Sequence, residues 1–243
     1  MIFQVILSIV AIIAGGIASI AGFGIGSFVT PLLAFKTGIS VAVAGISIAH
    51  FVGTALRFFV LRKYINKKIL LSFGLTSAAG GLAGALLHSV LYSIVLVIIF
   101  SCLLIFAGIM EFTGFSEKIR FPGAALWAAG GLSGFFGGLV GNQGGIRSAA
   151  MLGFKLEKKE FVATATGIAL MVDVARIPVY VITQGEEMLS IWKWILIASI
   201  GVLVGTAAGT YMLRKIPEKI FKKSVASIVI LVGLFMLIYN FFK

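Results

Sequence analysis

The sequence predicts an all-α polytopic membrane protein built as two inverted-topology repeats of about five helices each, with a glycine-broken short helix in each repeat. Three observations carry that expectation. The chain is 60% hydrophobic and 12% charged, with a mean hydropathy of +1.15, whereas a soluble domain carries roughly 25% charged residues. Its apolar residues gather into runs long enough to cross a bilayer. A glycine-interrupted stretch, Gly15 to Lys36 (GGIASIAGFGIGSFVTPLLAFK), has a degenerate second copy at Gly130 to Lys155 (GGLSGFFGGLVGNQGGIRSAAMLGFK).

A hydrocarbon core about 30 Å thick needs roughly 20 apolar residues of helix. On that length the chain divides into ten segments, eight long and two short. The long ones lie near 2–21, 40–62, 68–87, 90–110, 122–140, 159–183, 190–213 and 222–242, and the short ones, 24–35 and 144–154, each follow a glycine break. The first run has no basic region before it and no cleavage site followed by a soluble domain, so it reads as a span and not as a removable leader. Cys102, the single cysteine, sits inside an apolar run, where it can form neither an internal disulfide nor a metal cluster. The net charge of +12 falls in short basic clusters between apolar runs. That distribution reports membrane orientation and argues against a nucleic-acid partner.

If all ten segments cross, the basic loops 62–68 (RKYINKK), 155–159 (KLEKK) and 214–223 (RKIPEKIFKK) share one side. The connections around His88 and around Glu186 and Glu187 then share the other. Re-entrant short segments would move 155–159 across, so the crossing arrangement fits the positive-inside rule better and places both termini outside. A short helix covers only about 18 Å at 1.5 Å per residue, so the extended glycine segment has to complete each crossing.

The internal repeat aligns Gly16 to Gly22 with Gly131 to Gly137 at an offset of 115, and Phe35, Lys36 and Arg57 with Phe154, Lys155 and Arg176 at 119. Taken together these offsets imply four residues inserted at the second break. Farther on, Gly80 and Gly84 align with Gly201 and Gly205. Five crossings per copy is an odd number, so the copies are inverted. The two repeats are 1–111 and 122–243, joined by a connecting loop at 112–121.

Irregular backbone is tolerated at membrane depth only where protein buries it or a cavity is lined by it. Two such breaks in matching positions therefore point to a binding site. Gly24, Gly26 and Ser27 at the first break, and Asn142, Gln143, Gly144 and Gly145 at the second, leave free backbone donors at the start of a short helix. Such a terminus favours an anion. GFGIGS is not a dinucleotide fingerprint, because no strand precedes it, and no GxxxxGK[ST] phosphate loop occurs. Gly80, Gly81, Gly84, Gly201, Gly205 and Gly209 read as close-packing surfaces.

Arg57 (in GTALR) and Arg176 (in VDVAR) hold equivalent positions in the third segment of each copy. An arginine at the bilayer centre costs about 2.5–3.5 kcal/mol on insertion scales, so it normally faces the bundle interior with a partner. Snorkelling to the interface is the bland reading of Arg57. Ser47, His50, Thr54 and Arg57 form one polar stripe at helical spacing, and Thr166, Asp173, Arg176 and Tyr180 form another. Interhelical hydrogen bonding is the bland reading of both. Asp173 stands where the first copy has Thr54, and at three residues from Arg176 it can pair with that arginine. With His50 and Thr54 it forms the expected counter-ion or coupling group, the counter-ion role being favoured. His50 reads as a hydrogen-bonding member of its stripe, since no further ligand sits at metal spacing. Arg147, opposite Phe28 of the first copy, is either a further anion ligand or an interface anchor. Pro31 is expected to bend the first short helix after Thr30, and Ala150 replaces it in the second copy. His88 is expected to be solvated.

Through GFGIGSFVTPLL, GTALR and GFFGGLVGNQGG the chain resembles, over nearly its whole length, the sulfite exporter TauE/SafE family of bacterial and archaeal membrane proteins. The resemblance implies transport of sulfur-containing anions such as sulfite, sulfonates or sulfoacetate, usually outward, across the cytoplasmic (inner) membrane of a prokaryote. The second copy carries NQGG where the first has GIGS and lacks its proline, so the two half-sites need not contribute equally.

The expected function is a secondary transporter working by alternating access, with the anion held between the breaks and Arg57 and Arg176 as electrostatic ligands or gates. No ATPase motif is present, and an anion leaving a cell that is negative inside is driven by the membrane potential. A passive anion channel would use the same ligands and is the alternative. An intramembrane enzyme at His50 and Asp173 is the more distant one, since neither HExxH nor GxSxG occurs. No cofactor or metal is expected. The expected partners are the small anion and the lipid bilayer, with no nucleic acid, and glycine-packed faces permit a homodimer.

Overall fold

The computed structural model describes residues 1–22, 24–115, 124–142, 144–151, 154, 156–212 and 218–241. Among them the helices are α1 (Ile2–Ala21), α2 (Ile25–Thr37), α3 (Ile39–Leu61), α4 (Lys67–His88), α5 (Ser93–Thr113), α6 (Ala124–Val140), α7 (Gly144–Met151), α8 (Lys158–Ser190), α9 (Trp192–Met212) and α10 (Glu218–Phe241). A 3-10 turn at Arg62–Tyr64 follows α3, and no strand occurs among the described residues. The chain is an all-helical polytopic membrane protein. Seven helices are long and apolar enough to span, while α2, α6 and α7 fall short with 13, 17 and 8 residues.

Two expectations differ: 122–140, expected as a long span, holds among the described residues only the 17-residue α6, and one boundary moves. The connection expected after 183 is helical, and α8 runs on to Ser190 with a local break at Gln184 (φ −141°, ψ 23°). Apolar side chains on both sides of Glu186 and Glu187 continue the helical pattern, so two carboxylates did not suffice to end it. α2 likewise continues through Pro31, which only withholds an N–H from the helix ladder. Residues 116–121 of the expected connecting loop, Arg214 to Pro217 of the last basic loop, Lys155 and Gln143 lie outside the described residues.

α3 and α8 form the centre. In their most apolar windows 61% and 56% of residues are buried, against 28–39% for the other spanning helices. They pack on each other, α4 and α9 pack on them, and the outer pairs are α1 with α9, α4 with α6, and α5 with α10. Each of these pairings maps onto itself or another when the helix number is shifted by five.

Glycine sets the closest approaches. A side chain on Gly80 or Gly84 would strike the backbone of Gly131 or Phe135, and one on Gly205 or Gly209 would strike that of Ile12 or Gly16. Gly81 and Gly201 instead make room for the side chains of Val172 and Ala11. Small residues let helix backbones approach closely, which is how spanning helices associate when lipid and side chain are equally apolar.

These contacts correct the alignment of the two copies. Gly205 stands in the place of Gly80 and Ile12 in that of Gly131, so Gly80 and Gly84 correspond to Gly205 and Gly209, not to Gly201 and Gly205. Likewise the left-handed glycines that end α1 and α6 are Gly22 (φ 77°) and Gly141 (φ 75°), 119 residues apart, so no insertion is needed at the second break. Both misalignments are of four residues. That is close to one helical turn, so a stripe of glycines shifted by four presents nearly the same face.

Candidate functional site

The two breaks interlock. α1 ends at Gly22 and α6 at Gly141, each in the left-handed conformation that glycine adopts without strain. Gly24 (φ 133°) then starts α2 without a side-chain cap, and Phe28 is the first residue of α2 whose N–H reaches back to it, 3.1 Å from the Gly24 carbonyl. The start of α2 leans on the other break, because a side chain on Gly26 would run into the Gly141 carbonyl. Conversely, Arg147 of α7 reaches the first break, its Nη2 donating to the Gly22 carbonyl at 3.0 Å. Ser27 and Gly144 are buried beside them, and Gly145 follows in α7.

Arg57 and Arg176 repeat one contact. Each donates through Nη1 to a carbonyl 39 residues earlier: Arg57 to Ala18 and Arg176 to Gly137, the latter at 2.6 Å. These carbonyls also accept the N–H of Gly22 and Gly141, each at 3.0 Å. Both guanidinium groups therefore sit at the negative C-terminal end of a broken helix, where the aligned peptide dipoles favour a cation. Arg57 is buried, so it does not snorkel.

Between these arginines runs an unbroken polar chain. Arg57 Nη2 donates to Thr54 Oγ1 at 3.2 Å, Thr54 Oγ1 lies 3.4 Å from His50 Nδ1, and His50 Nδ1 is 2.7 Å from Asp173 Oδ2. Asp173 Oδ1 accepts from Arg176 Nε at 3.0 Å and lies 2.8 Å from its Nη2. The chain joins α3 to α8 and links the C-terminal ends of α1 and α6. Of the expected site residues it gathers Arg57, Thr54, His50, Asp173 and Arg176. Tyr180 adds a hydrogen bond to the Gly138 carbonyl and sits under the Arg176 guanidinium.

The halves are not electrically alike. All three Arg176 nitrogens are engaged by Asp173 and Gly137. Arg57 has only the neutral Thr54 in the place of that carboxylate, and its Nε has no partner. Arg147, 1% exposed, leaves Nε and Nη1 unpaired, and Asn142 leaves Nδ2 unpaired. An unmet buried donor costs about 1–3 kcal/mol, more when charged. A group of them at the junction of two helix breaks has the chemistry of an anion site. With Arg147 buried, the interface-anchor reading is excluded. Among the described residues no group of three or more His, Cys, Asp or Glu is gathered to hold a metal.

His88 corrects its expectation. It is 1% exposed, with Nδ1 donating to the Leu139 carbonyl at 2.6 Å and Nε2 3.0 Å from Ser40 Oγ. Ser40 is also 3.2 Å from Gln184 Oε1 at the break in α8, and the Tyr180 ring lies 5.2 Å from the imidazole. The end of α4 is covered by α6, α3 and α8 together, a burial that no local pattern around His88 signals.

The family model described as Sulfite exporter TauE/SafE matches residues 7–236. No curated protein and no solved structure matches the chain.

Proposed function

Because the chain belongs to the sulfite exporter TauE/SafE family, a family of membrane transporters, we propose that it is a secondary carrier that moves small sulfur-containing anions such as sulfite, sulfonates or sulfoacetate by alternating access. The observation that carries this reading is the cluster of unpaired buried donors on Arg147, Arg57 and Asn142 where the two breaks meet. The anion lies at this junction, completing the hydrogen bonds that the protein leaves open, beside the first turn of α2, which has no side-chain cap. Arg176 acts as a structural partner, its charge met by Asp173, and the direct ligands come from Arg147 and Arg57. The carrier sits in the cytoplasmic membrane of a prokaryote with both termini outside, and the two repeats have inverted topology. The membrane potential drives a negative substrate outward without further coupling.

Two measurements on purified protein test this. A ligand that binds only the folded state raises its melting temperature, so sulfite, sulfonates and sulfoacetate should stabilise it while chloride at equal ionic strength does not. In proteoliposomes, labelled substrate should show saturable counterflow, which a passive channel does not produce. Absence of a melting shift with every sulfur oxyanion would overturn the proposal.

A further inference from the structure

Among the described residues, the buried groups with fixed charge are Arg57, Arg147, Arg176 and Asp173. The Asp173 carboxylate offsets one guanidinium, that of Arg176, which it contacts through two nitrogens. His50 supplies the Nδ1–H that Asp173 Oδ2 needs in its neutral tautomer, so it need add no charge. Two guanidinium charges remain without a counter-charge, those of Arg57 and Arg147, and both carry unpaired nitrogens. Both also attach to the same helix end, at the Ala18 and Gly22 carbonyls one turn apart.

We infer that the site selects dianions over monoanions of the same shape. This rests on the anion-carrier reading above and deepens it. Leaving a buried charge unpaired is strongly unfavourable. A monoanion between Arg57 and Arg147 leaves one such charge, and a dianion leaves none. The discrimination arises from asymmetry between the halves. Position 173 holds aspartate, three residues before Arg176, whereas position 54, three residues before Arg57, holds threonine. Arg147 has Phe28 at its counterpart. The second half pairs Arg176 internally and adds Arg147, the first leaves Arg57 without a carboxylate, and each half thus leaves one positive charge for the substrate.

The probes are sulfoacetate, a dianion at neutral pH, and 2-hydroxyethanesulfonate, a monoanion with a carbon skeleton of equal length. Both are titrated into the purified protein by melting shift and as competitors of labelled sulfite in proteoliposomes. Sulfoacetate is expected to bind about tenfold tighter or more, since an unpaired buried charge is costly. Thr54→Asp gives Arg57 the carboxylate that Arg176 already has, and should erase or invert the preference, while the neutral Thr54→Asn keeps it. If Thr54→Asp does not fold, Arg147→Gln subtracts the same charge and should also narrow the ratio. Equal binding of the two probes by the unaltered protein, with clear binding of both, overturns the dianion inference and leaves the carrier reading standing. A dianion preference that survives both charge-subtracting variants overturns it as well. Failure of every sulfur oxyanion to bind sinks both proposals together.

Discussion

His50 on α3 and Asp173 on α8 meet at 2.7 Å between Nδ1 and Oδ2, and that bond closes the polar chain from the Ala18 carbonyl to the Gly137 carbonyl. It ties the two central helices, one from each half of the chain, by polar groups, as Ser40 and Gln184 do at 3.2 Å farther along the same pair. Asp173 thereby serves two partners, a histidine from the other half and an arginine from its own helix.

Asp173→Asn removes the only buried carboxylate among the described residues and leaves Arg176 as a buried, uncompensated charge. Removing one member of a buried ion pair costs about 3–5 kcal/mol, so a large fall in melting temperature in detergent is expected. Adding Arg176→Gln should return part of the loss, with a coupling of at least about 1 kcal/mol in a double-mutant cycle. Additive effects would show that the pair does not hold the fold.

Arg147→Gln should reduce the melting shift given by dianionic sulfur oxyanions, with apparent affinity falling about tenfold, about 1.4 kcal/mol. The ligand-free protein should lose little stability, because the change also removes two unpaired buried nitrogens whose desolvation is unfavourable. Arg57→Gln should behave similarly in flux assays. Transport by either variant at the unaltered rate would argue that the orphan donors are not the ligands.

Gly26→Ala places a methyl group against the Gly141 carbonyl and should force the two breaks apart, costing about 1–3 kcal/mol and most of the transport rate. Gly185→Ala, where nothing lies within 4 Å of the added carbon, is the matched control and should melt within about 0.5 kcal/mol of the unaltered protein.

His88→Ala leaves the Leu139 carbonyl without its side-chain donor and breaks the link through Ser40 to Gln184. A loss of about 1–3 kcal/mol in stability is expected, with anion affinity retained because no bond of His88 reaches Arg57 or Arg147. A solvated histidine at that position would give no change in melting.

What the sequence by itself determined is what lies within a few residues along one helix. Apolar run length set seven of the eight long spans expected, paired glycines marked where α1 and α6 end, and spacing of three residues on one face foretold the Asp173–Arg176 pair. Each is a local quantity, because a helix repeats every 3.6 residues and neighbours on its surface are near neighbours in sequence.

Only the tertiary structure decided which faces meet. His50 and Asp173 are 123 residues apart, Arg147 and Gly22 are 125 apart, and the cover over His88 comes from three other helices. The register of the two copies was ambiguous by one turn for the same reason. Glycines recur along α1, α4, α6 and α9 so that several alignments bury the same stripe, and the choice among them belongs to backbone against backbone, as at Gly80 with Gly131 and Gly205 with Ile12. The charge surplus of the site was likewise hidden. Every arginine is visible in the chain, but which one keeps its hydrogen bonds unmet depends on what the folded neighbours supply.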